Sequence, residues 1–243
     1  KYCKNKRKGL RLYGPIQWWD VSNVSKMELL FADQSLFNDS LEHWDVSNVK
    51  SMYGMFEECA CFNQPLHRWN TQNVKNMKYI FQSASEFNQP LDSWNMSNVQ
   101  NIEFMFLNCI EFNQPLENWD LRRITSFNYL FEGCESFNQP LERWNVSNVR
   151  FMINTFCKCT SFNQPLGKWD VTKVTHMDSM FQECTSFNQP LQEWNLENAE
   201  SLTEMFQGCI SFNQSLNNWK FGEFTDARGI FCGTNVEFMV WEH

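Results

Sequence analysis

Hydrophobic and polar positions recur along this chain every 25 residues, and this period dominates the sequence. Tryptophan keeps the interval without a slip from residue 19 to residue 219, and phenylalanine keeps it from residue 31 to residue 231. A second phenylalanine column runs from residue 37 to residue 212, and a leucine column runs from residue 41 to residue 216. A fixed period of this kind indicates stacked units, each of which is too small to bury its apolar face alone.

One unit reads W-[DN]-V-S-N-V-x-x-M-x-x-M-F-x-x-C-x-x-F-N-Q-P-L-x-x, and its two halves predict different elements. The opening part, as in residues 144–147, alternates apolar and polar side chains, which favours a short strand. The next part has the apolar spacing of one helix face, as in Val49, Met52, Met55, Phe56 and Cys59. We therefore predict an α/β solenoid of about nine coils, each with a short strand and a short helix.

The motif F-N-Q-P-L, with which each unit ends, predicts a structural corner rather than an active site. It stands at residues 62–66, 87–91, 112–116, 137–141, 162–166 and 187–191, with altered copies at 37–41 and 212–216. In stacked coils its asparagines would form a column whose amides bond to each other or to turn backbone. Its proline needs no donor partner and holds the preceding glutamine extended.

The unbroken period predicts one repeat domain over residues 12–231. Residues 1–11 carry six Lys or Arg and are predicted to be a basic N-terminal tail or the remnant of an upstream segment. Residues 232–243 are predicted to form a C-terminal cap. Because the chain starts in mid-repeat and without Met, we expect it to be a fragment or a processed product.

Charge and composition narrow the possible partners. The net charge is −8, and outside the basic start the remaining 14 cations face 28 anions, which argues against nucleic acid as a partner. No apolar run is long enough to predict a transmembrane segment. No glycine-rich phosphate loop or nucleophile elbow is present, so we expect no cofactor and no small-molecule substrate.

The ten cysteines could in principle form metal sites or disulfides, but their spacing does not favour either. Six of them share one column, which Ala84 interrupts: Cys59, Cys109, Cys134, Cys159, Cys184 and Cys209. Zinc sites more often use C-x₂₋₄-C pairs with histidine partners, which are missing here. We therefore predict free buried thiols and no metal site, while a bridge between neighbouring coils stays open as the alternative.

The unit resembles a leucine-rich repeat, and residues 141–146 fit the L-x-x-L-x-L frame. More narrowly, it resembles the repeat of BspA-like leucine-rich-repeat surface proteins, whose pattern aligns with Trp169, Val171, Val174, Met177, Phe181, Cys184 and Phe187. The variant W-D-V-S-N-V…M-F…F-N-Q-P-L is found in bacterial surface lipoproteins and in proteins of large DNA viruses. The resemblance implies a right-handed leucine-rich-repeat-like solenoid and, for bacterial members, surface display, adhesion or partner binding. It implies no catalytic residue.

Departures from the repeat point to a candidate contact surface. On a helical wheel the residue before the M-F pair lies about 150° from the core face. Tyr79, Phe104 and Tyr129 occupy this position in three consecutive coils, and Phe151 and Ile153 flank it in the next coil. A contiguous apolar patch suggests a protein partner or a neighbouring copy. The alternative is a rolled helix whose rings are half buried.

A second departure is Arg122-Arg123, which replaces Ser-Asn and predicts an anion contact. Taken together, the patterns favour a non-enzymatic repeat scaffold for protein–protein binding or surface adhesion. The alternative is a structural component of a large assembly, such as a giant-virus virion. In either case we expect a protein partner or neighbouring subunits, at a cell surface or in a virion. No acid, base and nucleophile converge, so we do not expect an enzyme.

Overall fold

The computed structural model describes residues 2–3 and 6–235, most of which form a stack of 25-residue coils. Helix α1 spans Lys6–Tyr13, and a short 3-10 helix spans Ile16–Trp18. Over the rest of the described chain there is no further helix and no strand. Isolated parallel bridges join residues 25 positions apart instead, as between Ser51 and Asn76.

The segment predicted as a helix bonds to the next coil rather than to itself. Every second N–H group donates to a carbonyl of the following coil over 2.8–2.9 Å: Met52 to Asn76, Gly54 to Lys78, Phe56 to Ile80 and Glu58 to Gln82. The N–H groups between them close four-residue turns within the coil, as from Met55 to Met52 at 3.1 Å. We call residues 51–58 and their equivalents every 25 positions the ladder segments.

Left-handed residues explain why this segment is not helical. Two positions in each ladder segment take positive φ, such as Gly54 at 55° and Glu58 at 58°. A right-handed helix cannot continue through such residues, because each of them turns the chain out of the helical path. The apolar spacing that predicted a helix is thus produced by a chain of turns.

The segment predicted as a strand is also a turn. From Trp19 to Trp194, the Asp or Asn after each column tryptophan accepts a bond from the N–H two residues on, as from Ser47 to Asp45 at 3.0 Å and from Ser147 to Asn145 at 3.1 Å. Side chains of this kind offer the backbone an alternative to strand pairing. The predicted fold class, a right-handed leucine-rich-repeat-like α/β solenoid with a strand and a helix in each coil, is therefore wrong.

The prediction that residues 25 positions apart stack on one another is confirmed. The rings of Phe56 and Phe81 lie 5.6 Å apart with their planes within 4°, and those of Trp119 and Trp144 lie 6.4 Å apart within 2°. The indole N–H of Trp144 also donates to the carbonyl of Leu116 at 2.9 Å, a bond that recurs in the other coils. The tryptophans and phenylalanines form one continuous core.

The F-N-Q-P-L corners are joined by a column of amides, as predicted. Asn113 Oδ1 accepts two bonds from the next corner, one from the Asn138 N–H at 3.0 Å and one from Gln139 Nε2 at 2.9 Å. The same pair of bonds recurs between successive corners from Asn38 to Gln214. Each asparagine thus satisfies two donors that an irregular corner would otherwise leave unpaired.

The series of bridges is interrupted once within the described residues. Bridges follow one another from Lys26 to Asn101 and from Ser126 to Asp226, but none joins Asn101 to Ser126. Three ladder bonds still cross this step, where other steps have four: from Phe104 to the Asn128 carbonyl at 3.1 Å, from Phe106 to Leu130 at 3.0 Å and from Asn108 to Glu132 at 2.7 Å. The coils therefore remain stacked here with fewer backbone connections.

The N-terminal end differs from the repeating coils. Lys6 bonds to Asp39, and the buried ring of Tyr2 meets that of Trp19 edge-on at 5.2 Å. No helix in residues 2–3 and 6–235 has the length and hydropathy needed to cross a bilayer. Of the predicted cap at 232–243, residues 236–243 lie outside the described residues, as do Lys1, Lys4 and Asn5 of the predicted tail.

Candidate partner-binding face

Each ladder segment turns some of its side chains into the core and the others toward an outer face. In residues 51–58, Met52 and Phe56 are fully buried, whereas Tyr53 and Glu57 are partly exposed. We call the positions of residues 51, 53, 54, 57 and 58, with their equivalents in the other coils, the outer face. Since these side chains do not fill the core, their identity can vary from coil to coil and carry function.

Aromatic rings stack on the outer face. The ring of Phe104 lies 4.7 Å from that of Tyr79 and 4.5 Å from that of Tyr129, the latter pair with planes within 7°. Tyr53 meets Tyr79 edge-on at 5.4 Å. All four residues are partly exposed, and we call them the aromatic row. The structure thus brings the three predicted residues together on a chain of turns, and it adds a fourth.

Three rings of the row stand on left-handed backbone. Tyr79, Phe104 and Tyr129 have φ of 62°, 58° and 58°, a region that bulky residues rarely adopt and glycine adopts without penalty. Glycine does occupy the same position elsewhere, at Gly54 and Gly229. Each ring therefore sits where the backbone alone would favour glycine, at a cost of about 1–2 kcal/mol.

Lys78 and Glu103 form an ion pair beside the middle of the row, which the sequence did not predict. Lys78 Nζ lies 5.0 Å and 5.1 Å from the ring centroids of Tyr79 and Phe104 and donates to Glu103 at 2.9 Å. Glu103 also accepts a 2.7 Å bond from Ser126 Oγ. Burial disfavours both charges, but these bonds outweigh it, so the pKa of Lys78 is raised and that of Glu103 is lowered.

Two carboxylates beside the row form no direct ion pair within the described residues. Glu57 and Glu132 lie on the outer face of the second and fifth ladder segments, are partly buried, and form no ion pair with any described residue. Burial is the main reason that the pKa of each is raised. Asp33 and Glu58 raise the pKa of Glu57 further.

The groups around Glu132 offset the effect of burial on its pKa only in part. An amide bond of 3.2 Å from Asn154 and the charge of Lys158 lower the pKa of Glu132, but less than burial raises it. Glu132 in turn contributes, after burial, to a raised pKa of Tyr129. The carboxylate therefore lies close enough to the end of the row to influence it.

The two predicted flanking residues continue the apolar strip into the sixth ladder segment. Tyr129 donates its N–H to the Ile153 carbonyl at 2.9 Å, which places Ile153 in the next coil beside the row. Phe151 is 37% exposed, and its ring lies 5.8 Å from that of His176. The apolar strip thus spans five coils, from Tyr53 to Ile153.

The predicted anion contact lies elsewhere. Arg122 binds Asp120 in its own turn through two bonds of 2.8 and 2.7 Å, and this pairing lowers the pKa of Asp120. Arg123 is exposed at the position where other coils carry an asparagine, such as Asn148, which caps the Arg122 carbonyl at 3.0 Å. Within the described residues neither arginine contacts the aromatic row.

The six thiols of the cysteine column are free and buried, as predicted. Each donates to a carbonyl of the preceding coil, as from Cys184 to Phe156 at 2.7 Å. Burial raises the pKa of Cys59 and of Cys209 to about 12, so both thiols are protonated at neutral pH. Among the described residues no group of three His, Cys, Asp or Glu side chains could hold a metal ion.

An open cavity of about 890 Å³ lies at the N-terminal end, away from the aromatic row, where Trp18, Val24 and Leu30 line it with other apolar residues. Cys3 and Asp20 also line it, but no group of three His, Cys, Asp or Glu side chains that could hold a metal ion is found among the described residues.

A family model described as "Mycoplasma protein of unknown function, DUF285" matches residues 4–119 and 139–238. The unmatched stretch, 120–138, contains Arg122, Arg123 and Tyr129, and also Ser126, which no bridge joins to Asn101. No curated protein and no solved structure matches the chain.

Proposed function

Since the chain belongs to the DUF285 family, whose function is unknown, we propose from its surface that it is a non-enzymatic scaffold that binds another protein through the outer face. The observation that carries this proposal is the aromatic row, with successive rings 4.5–5.4 Å apart on a face of partly exposed side chains. Contiguous aromatic side chains that remain accessible are typical of protein contact sites.

The rings are not required to complete the core. The inward side chains of the same ladder segments, such as Phe106 and Phe131, are already fully buried. The rings also occupy left-handed positions where glycine would cost less. Residues that strain the backbone without filling the core are most often found where a surface is used for binding.

The repeat supports a setting for this binding. Its W-D-V-S-N-V and F-N-Q-P-L elements resemble the repeat of BspA-like surface proteins, for which display and adhesion are expected. Adhesion at a cell surface through the aromatic row is therefore part of the proposal.

A matched pair of glycine variants tests the proposal. In the row variant, Tyr79, Phe104 and Tyr129 are each replaced by Gly; in the control variant, Ser179 and Glu204 at the same left-handed position are each replaced by Gly. Both variants relax the same backbone position, but only the first removes rings.

Peptides from a random displayed library are selected for binding to the immobilised wild-type chain. Their affinities for both variants are then measured. We expect the selected peptides to bind the control variant and to lose binding to the row variant by at least tenfold, about 1.4 kcal/mol. Peptides that bind the row variant as tightly as the wild type would refute the proposal. Near-UV circular dichroism confirms that each variant is folded.

A further inference from the structure

The charges around the aromatic row indicate what kind of protein segment fits there. This inference rests on the proposed function. The outward side chains of the second to sixth ladder segments include four acids, Glu57, Glu58, Glu103 and Glu132, but only two bases, Lys78 and Lys158. Lys78 is already paired with Glu103. The outward side chains of these segments therefore carry a net negative charge, which favours a cationic partner.

The two unpaired carboxylates bracket the row. Glu57 and Glu132 occupy equivalent positions three coils apart, on either side of the coils that carry Tyr79 and Phe104. With a coil spacing of about 4.8 Å, the backbones that carry them are separated by about 14 Å along the stack. An extended chain rises about 3.3 Å per residue, so four residues span this distance.

Alternation along an extended chain fixes the side-chain pattern. Residues i, i+2 and i+4 point to the same side, so a segment that presents i and i+4 to the carboxylates presents i+2 to the rings between them. We propose that the aromatic row binds an extended basic protein segment that lies along the stack. Lys or Arg at i and i+4 pairs with Glu57 and Glu132, and an aromatic or aliphatic residue at i+2 packs on the rings.

The burial of the two carboxylates and their lack of a direct ion pair within the described residues agree with this proposal. Each is partly buried and forms no ion pair within the described residues, so its charge has lost water that no direct cation contact replaces. Asn154 holds Glu132 in place through a bond of 3.2 Å. A cationic side chain that arrives there finds an acceptor already oriented and partly desolvated.

Defined peptides test the proposal. The probe is a labelled Lys-Ser-Tyr-Ser-Lys segment with glycine flanks; the comparison peptides carry Glu in place of both Lys, or place the two Lys six residues apart. Fluorescence anisotropy at low salt measures their affinities. We expect the first peptide to bind tightest, and Glu57→Gln with Glu132→Gln to weaken it about tenfold.

The control variant is Glu183→Gln with Glu204→Gln, which removes two acids from the same face outside the row. We expect it to weaken the Lys peptide less than about twofold. Equal weakening by both pairs, equal binding of the Glu peptide, or no binding of the Lys peptide would each overturn the proposal.

The row variant separates this proposal from the proposed function. Binding that is lost in the row variant but unchanged in the Glu57/Glu132 variant overturns the basic-segment proposal and leaves the row as a contact site. Full binding of selected peptides to the row variant refutes the proposed function itself.

Discussion

In each ladder segment, inward and outward side chains belong to the same backbone, yet their residue types vary differently from coil to coil. The inward columns repeat one residue type, as in the phenylalanines from Phe56 to Phe206, whose rings stack at 5.4–5.8 Å. The outward columns change at almost every coil, from Tyr53 to Lys78 to Glu103. Repetition therefore marks the positions that hold the coils together, and its loss marks the positions open to a partner.

The largest effect is expected in an inward column. Trp144 is 3% exposed, stacks between Trp119 and Trp169, and donates to the Leu116 carbonyl. We expect Trp144→Ala to lower the free energy of unfolding by about 3–5 kcal/mol, measured by urea unfolding.

The control for this substitution is an exposed indole. Trp18→Ala removes a ring that is 64% exposed and should cost below about 1 kcal/mol. If Trp144→Ala costs no more than Trp18→Ala, the stacked column does not stabilise the protein.

A smaller loss is expected at the corners. Asn113→Ala removes the Oδ1 to which the Asn138 N–H donates, and it leaves the Gln139 amide with only its 3.1 Å bond to the backbone carbonyl of residue 113. We expect a loss of about 1–3 kcal/mol in the same urea measurement. Asn118→Ala, at an exposed position, should change stability by less than about 0.5 kcal/mol and serves as the control.

On the outer face, loss of a ring should be nearly neutral. Phe104→Gly removes two ring contacts of about 0.5–1.5 kcal/mol each, but it relieves a left-handed φ of 58°, which costs about 1–2 kcal/mol. We expect a net change within about 1 kcal/mol.

The matched inward change is Phe106→Gly, which should cost more than about 3 kcal/mol. A loss of that size for Phe104→Gly as well would place its ring in the core and remove the distinction between the two faces.

The smallest effect has the opposite sign. Burial raises the pKa of Glu132, so the native state holds this proton to higher pH than the unfolded chain does, and stability is lost as pH rises through the raised pKa. We expect Glu132→Gln to stabilise the protein at pH 7 by up to about 0.5 kcal/mol, the range of surface substitutions.

This gain should disappear well below the ordinary glutamate pKa of about 4.3, where Glu132 is protonated in both states. Thermal unfolding at pH 3 and pH 7 measures the difference, and Glu193→Gln at an exposed position is the control. A stabilisation that is equal at both pH values would contradict the assignment of the effect to charge burial.

The 25-residue period was sufficient to predict the columns, since equivalent residues of regular coils must stack whatever the local backbone. The asparagine column and the buried thiols followed from it. The helix and the strand predicted for each coil were wrong, because a chain of turns reproduces the same apolar spacing. A signal was present: glycine or asparagine recurs at the left-handed positions, as at Gly54, Asn108, Gly133, Gly208 and Gly233.

The aromatic row was predictable in part. The recurrence of rings in one column indicated Tyr79, Phe104 and Tyr129, but the bond from Lys78 to Glu103 and the isolation of Glu57 and Glu132 depend on distances between coils. Those distances are set by the ladder of backbone bonds, which the predicted helix would have replaced. The chemistry of the partner could therefore be inferred only from the structure.

The tryptophan column also has an optical consequence. Indoles held parallel at 6.3–6.4 Å, as in the pairs Trp69–Trp94, Trp119–Trp144 and Trp144–Trp169, are close enough for their excited states to couple. Absorbed light is then shared among neighbouring chromophores, and separation of any two coils would interrupt that sharing. The protein thus contains its own unlabelled spectroscopic reporter of whether successive coils remain in register.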